Sequence, residues 1–168
     1  MNTKARIYIY HGLYSDAIKT MKKIKRFIND PGANWSNDPE VDLNSLHFYM
    51  ANVYEKLDRP NDAIKLYTRI TEEKPPELYE LWKRGYINRS LFAIGKIKFD
   101  QRDYNAAFPI LKEFVTSMNG TNPNEKEVDI YDARWKLPCF FPDIDEQTQH
   151  ANAMLSIILK ADENDLNT

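Results

Sequence analysis

Residues 44–77 read NSLHFYMANVYEKLDRPNDAIKLYTRITEEKPPE. The stretch is amphipathic and helical in character, and it carries two small residues twelve positions apart, Ala51 and Ala63. Two antiparallel helices approach closely only where side chains are small, so a small residue on each at fixed spacing predicts the crossing of a helical hairpin. The same spacing recurs upstream at Ala5 and Ala17 and downstream at Gly95 and Ala107. Tyr8 and Tyr54 follow the first small residue by three, one turn along the same face, while Tyr14 and Tyr104 precede the second by three. Three occurrences in one register predict a repeat architecture.

On these residues the chain resembles the tetratricopeptide repeat family, whose units are helix-turn-helix hairpins stacked into a right-handed superhelix. Ala51, Tyr54, Ala63, Tyr67 and Pro75 fall where that family places its alanine, tyrosine, second alanine, large aromatic and closing proline. The first repeat keeps Ala5, Tyr8, Gly12, Tyr14 and Ala17, with Gly12 where the family prefers glycine between its helices. It has no room for a leading aromatic, so either the chain is a piece of a longer protein or this repeat is a truncated cap. The third repeat keeps Gly95, Tyr104, Ala107 and Phe114, but has Lys98 in place of a tyrosine, offset by the neighbouring Phe99, and Asn119 in place of the proline. The resemblance covers residues 1–119 and implies an all-α, right-handed superhelical solenoid, with repeats at about 1–29, 44–77 and 88–119 in a single domain of residues 1–161.

Spacing between repeats is longer than in the family: Ala5 to Ala51 is 46 residues and Ala51 to Gly95 is 44, against about 34 for a standard unit. The first excess is explained by the turn-forming run from Asp30 to Asn37, after which Asp38-Pro39 predicts a helix from near Pro39 to Leu57. In the second, Leu78, Leu81, Trp82 and Tyr86 recur at helical spacing, so the next first helix is expected to extend toward its N-terminus, with Gly85 as a possible kink. Beyond Asn119-Gly120 a helix is expected over 125–137, then a break around Pro138 and Pro142. A last helix, capped by Asp143 or Asp145, is expected to run to Ala161 with Ala151, Met154, Leu155, Ile158 and Leu159 on one face. Residues 125–161 read as a cap over the terminal apolar face or a degenerate fourth hairpin, and 162–168 as a frayed acidic tail.

At 168 residues the chain is long enough for one cored domain, and 42% hydrophobic and 29% charged residues with 5 glycines suit helices. No run reaches the roughly 18 apolar residues of a membrane span, and no signal peptide is recognised. A single cysteine, Cys139, excludes an internal disulfide and fits a reducing, cytoplasmic compartment, with a periplasmic location after signal removal also open. The net charge of −2 argues against nucleic acid as main ligand. The basic run Lys22-Lys23-Ile24-Lys25-Arg26, with Lys19 a turn earlier, reads as a solvated face around a buried stripe of Met21, Ile24 and Phe27 or Ile28.

Catalytic chemistry finds little support. His11, His47 and His150 show no metal-binding spacing, and no phosphate-binding glycine loop is present. His47 is expected to be a packed core histidine and Cys139 a buried small hydrophobe. No cofactor, no metal and no catalytic residue is therefore expected. The sequons at Asn34, Asn88 and Asn119 do not establish secretion.

In tetratricopeptide repeats the first helix of each hairpin lines a concave groove. Carried over, that geometry implies a partner-binding set of Arg6, Tyr10, Tyr49, Asn52, Lys56, Arg89, Phe92, Lys96 and Phe99, with Ile9 and Phe48 beside them. Rings interleaved with cations suit a peptide groove, in which apolar side chains lie on the rings and carboxylates meet the cations. The family's carboxylate clamp for acidic chaperone tails is not matched, because Asn2, Arg6, Tyr49 and Ala93 stand at clamp positions. The expectation is a non-catalytic interaction module, an adaptor or assembly subunit, that binds an acidic and apolar peptide or protein segment and neither nucleic acid nor the membrane interior. A self-associating structural domain and a recruiting or regulatory domain of a larger enzyme remain alternatives.

Overall fold

In the computed structural model the described residues are 3–28, 30, 43–72, 80–119 and 144–165. Their regular structure is helical throughout: α1 (Thr3–Tyr10), α2 (Tyr14–Ile28), α3 (Leu43–Lys56), α4 (Pro60–Glu72), α5 (Glu80–Asp100), α6 (Tyr104–Asn119) and α7 (Ile144–Asp165). The chain divides into two compact units, Met1–Ile70 and Thr71–Thr168. The turn-rich run after Asp30, the helix expected over 125–137 and Cys139 lie outside the described residues.

Three short breaks join α1 to α2, α3 to α4 and α5 to α6, and all three are built alike. Gly12, Asp58 and Arg102 adopt left-handed backbone, with φ of 70°, 54° and 61°. Each stands seven residues after the small residue of its first helix. The next amide reaches back across the turn in every case: Leu13 donates to the Tyr8 carbonyl at 2.8 Å, Arg59 to Tyr54 at 2.9 Å and Asp103 to Lys98 at 2.9 Å. With the inner bonds from Gly12 to Ile9, Asp58 to Glu55 and Arg102 to Phe99, this is the Schellman pairing that satisfies the last carbonyls of a helix. The same residue that ends one helix starts the next, since the carbonyls of Leu13, Arg59 and Asp103 accept from Ala17, Ala63 and Ala107. Pro60 occupies the first position of α4, where its missing N–H costs nothing, and Asp103 caps α6 by accepting the Ala106 amide at 3.4 Å.

The small residues do what the spacing predicts, with one correction. Ala5, Ala17, Ala51, Ala63 and Ala107 are fully buried. At Gly95, however, the neighbour across the hairpin is Leu111 rather than Ala107: a Cβ built on Gly95 would lie 2.6 Å from Leu111 Cδ2 and 2.7 Å from its Cγ. Met21, Tyr67 and Leu111 stand four residues after the three alanines and are at most 1% exposed. In the third hairpin the small residue thus leaves room for a large side chain one turn past its partner alanine. Replacing Ala63 or Ala107 by leucine is expected to cost about 1 to 3 kcal/mol through overpacking. Lys22→Ala, on the exposed side of α2, should cost less than about 0.5 kcal/mol in the same denaturant titration.

Lys98 is also accommodated differently from expectation. In the middle hairpin the Arg59 guanidinium lies 4.9 Å from the Tyr54 ring centroid. In the third the same two register positions hold Lys98 and Asp103, whose charged groups meet at 2.9 Å. A cation–π contact is replaced by an ion pair, which holds the Asp103 carboxyl below its ordinary range. Phe99 packs instead on Tyr104, with ring centroids 5.4 Å apart.

In the second unit α7 lies on α6 and α5. Ala151, Met154 and Ile158 enter a core with Leu91, Phe92, Leu111, Phe114 and Met118, each large apolar side chain adding about 1.5 to 3 kcal/mol by leaving water. Leu155 is half-buried, while Leu159, expected on that face, is 51% exposed. α7 continues to Asp165 through the start of the acidic tail, and α5 runs unbroken through Gly85. No described helix is long and apolar enough to cross a membrane.

Candidate interaction surface on the first helices

The first helices of the hairpins sort their expected partner-binding residues by burial. On α1, Ile9 is buried and Arg6 half-buried, whereas Tyr10 is 71% exposed with its ring edge-on to His11 at 5.3 Å. On α3, Phe48 and Tyr49 are buried, Asn52 is half-buried and donates to the Phe48 carbonyl at 2.9 Å, and Lys56 is exposed. On α5, Arg89 and Phe92 are buried, Phe99 is half-buried, and the exposed Lys96 meets Asp100 at 2.5 Å.

The rings of α3 and α5 are therefore mostly core, not platforms. The reason is visible in each hairpin: Phe48 packs edge-on against Tyr67 of α4 at 5.6 Å, and Phe92 lies against Phe114 of α6 at 5.4 Å. Each ring precedes the small residue of its helix by three and fills space against its own second helix. Of the expected partner-binding residues, the first helices expose Tyr10 and the cations Lys56 and Lys96.

Glu55, beside Lys56 on α3, has a structural role. It accepts a hydrogen bond from the buried Tyr67 hydroxyl at 2.5 Å, tying α3 to α4. Burial first, and then the Glu55 carboxylate, raise the Tyr67 pKa well above its ordinary value, so the phenol stays protonated and donates. The signal was present in the sequence as the twelve-residue separation of Glu55 and Tyr67, equal to that of Ala51 and Ala63. Asn88 is likewise structural: its carboxamide is buried between α5 and α6, 3.0 Å from the Ser117 hydroxyl and 3.5 Å from Met118 Sδ. That sequon is no glycan acceptor in the folded chain.

His47 is a core histidine, 2% exposed, and neither ring nitrogen has a hydrogen-bond partner among the described residues. Burial, then the charges of Lys25 and Arg69, lower its pKa from 6.5 to about 4. Between those values the unfolded chain binds the proton more readily, so stability contributed by the neutral ring is complete above the unfolded pKa and is lost as pH falls through the window. At pH 5 the loss is about 2 kcal/mol. His47→Leu should shrink the difference in unfolding free energy between pH 7 and pH 5 by about that amount; an unchanged difference would show that other groups carry it. His11 and His150 are exposed.

A curated protein of Methanocaldococcus jannaschii, described as a TPR repeat-containing protein, is 31% identical to this chain over 98 residues, 56% of the chain. The match spans 27% of the length of that relative. No family model matches the chain, and no solved structure matches it significantly. The chain is thus similar to tetratricopeptide repeat proteins in sequence, and it is built, like them, of helical hairpins.

Proposed function

We propose that this chain is a non-catalytic protein-interaction module, an adaptor or assembly subunit that takes a peptide or protein segment on the first helices of its hairpins. The observation that carries this reading is the threefold recurrence of one hairpin, with one turn geometry, in a chain similar to a tetratricopeptide repeat protein. Such a fold commits its internal side chains to packing helix on helix and leaves its chemistry to the outer positions. In the first unit those positions carry Tyr10 and Lys56, with Arg6 half-exposed, so the favoured ligand there is acidic with apolar residues. Tyr49, Arg89 and Phe92 shape the backbone that presents these groups and do not touch the ligand.

Selection of a displayed random-peptide library on the full chain tests this. Acidic and apolar sequences should be enriched, and Tyr10→Ala combined with Lys56→Glu should weaken the selected peptides at least about tenfold while leaving the helical signal intact. Enrichment of basic peptides, or binding indifferent to that variant, would overturn the assignment. Self-association is the second reading, favoured by Ile7: it is 52% exposed, while its register equivalents Val53 and Ile97 are buried. Light scattering showing a dimer that Ile7→Ser dissociates would support it.

A further inference from the structure

The basic run on α2 is gathered on one side of the helix beside an exposed aromatic ring. Lys19, Lys22, Lys23 and Arg26 are all exposed, and they fall within an arc of about 100° over some 10 Å of helix. Phe27, one turn beyond Lys23, is 59% exposed and adjoins that arc, while the buried stripe is made by Ala17, Ile18 and Met21. Asp16 offsets part of the charge through Lys19, at 3.3 Å.

The other hairpins act as an internal control. In register, the four cations correspond to Lys65, Thr68, Arg69 and Glu72 of α4 and to Pro109, Lys112, Glu113 and Thr116 of α6, and Phe27 corresponds to Glu73 and Ser117. Two second helices thus fold with mixed or neutral outer faces, and α6 has the polar Ser117 at the aromatic position. The hairpin architecture does not require four cations and an exposed ring; the first hairpin alone has them.

We propose that this face of α2 is a second interaction surface, separate from the first helices, which docks an acidic protein segment carrying one apolar anchor. Three of the four cations are lysines, compact charges on flexible stems that meet carboxylates at varied spacing, and Phe27 gives the anchor a ring to lie on. A membrane surface fits less well, because one ring supplies little apolar area to insert. Nucleic acid fits less well on a chain of net charge −2 whose patch holds a single arginine.

The test uses the full chain and a fluorescein-labelled synthetic peptide with four glutamates around a central phenylalanine, followed by anisotropy. Binding is expected, weakening as salt rises. Substituting Lys19, Lys22, Lys23 and Arg26 together by serine should weaken it at least about tenfold, and Phe27→Ser alone should weaken it with the salt dependence kept. Circular dichroism should be unchanged, since every altered side chain is exposed; the pair Lys23→Glu and Arg26→Glu repeats the test with fewer changes. Peptide binding indifferent to these variants would overturn the proposal. So would tighter binding of oligothymidylate or of phosphatidylserine vesicles than of the peptide. Loss only in the Tyr10→Ala, Lys56→Glu variant would place the acidic peptide on the first helices, overturning this proposal and sparing that reading.

Discussion

Leu111→Ala is expected to destabilise the protein by about 2 to 5 kcal/mol, and to make Gly95→Ala harmless. Leu111 is fully buried and sits over the one glycine whose missing side chain makes space for it. Truncating it removes buried methyl groups and leaves a cavity, the combination that sets this range for leucine in cores. Gly95→Ala alone carries two opposed effects. Alanine is the better helix former by about 1 kcal/mol, but the new methyl would lie 2.6 Å and 2.7 Å from carbon atoms of the fully buried Leu111 side chain, an overpacking cost of about 1 to 3 kcal/mol. The clash should win in the native background, giving a net loss. With Leu111 already alanine the clash is gone, and only the helix-propensity gain remains. The double-mutant cycle should therefore show a coupling of at least about 1 kcal/mol; additive effects would show that α5 and α6 do not meet in this register.

Pro109→Ala is expected to stabilise the protein by about 2 kcal/mol. Pro109 lies inside α6, five residues past its start at Tyr104, where a proline deprives the helix of an internal hydrogen bond and crowds the preceding turn. The helix-interior penalty relative to alanine is about 3 kcal/mol. Against this, proline restricts the unfolded chain, an advantage of up to about 1 kcal/mol that alanine gives up. Pro109 is exposed, so its removal opens no cavity. A midpoint shifted upward in denaturant, at unchanged slope, is the expected result. A downward shift would mean that Pro109 itself is needed to seat Phe114 and Met118 against α7.

The hairpins were legible because their determinants are local. Three pairs of small residues at one spacing, with turns in which the residue seven past the first must turn left-handed, are properties of the chain within some twenty residues, and glycine at Gly12 marks one openly. Asp58 and Arg102 adopt the same backbone without glycine, because the helices on either side hold it in place, and nothing in their identity announces it. The inward stripe of α7 was legible for the same local reason, up to Leu159.

Of the residues expected at a partner-binding surface, Tyr10, Lys56 and Lys96 are exposed, Arg6, Asn52 and Phe99 half-buried, and Tyr49, Arg89 and Phe92 buried. Periodicity places a residue on a face of its helix, and the sequence by itself determined that Phe48, Tyr49, Arg89 and Phe92 share faces with Asn52 and Lys96. Which neighbour covers each face is a matter of tertiary packing. Tyr67 and Phe114 close over Phe48 and Phe92, Tyr67 engages Glu55, and Leu111 occupies the space beside Gly95. Conversely, Phe27, one of two apolar residues at the end of α2's stripe, is 59% exposed. Burial depends on what lies across the interface, and a helical period fixes direction without saying whether anything stands there.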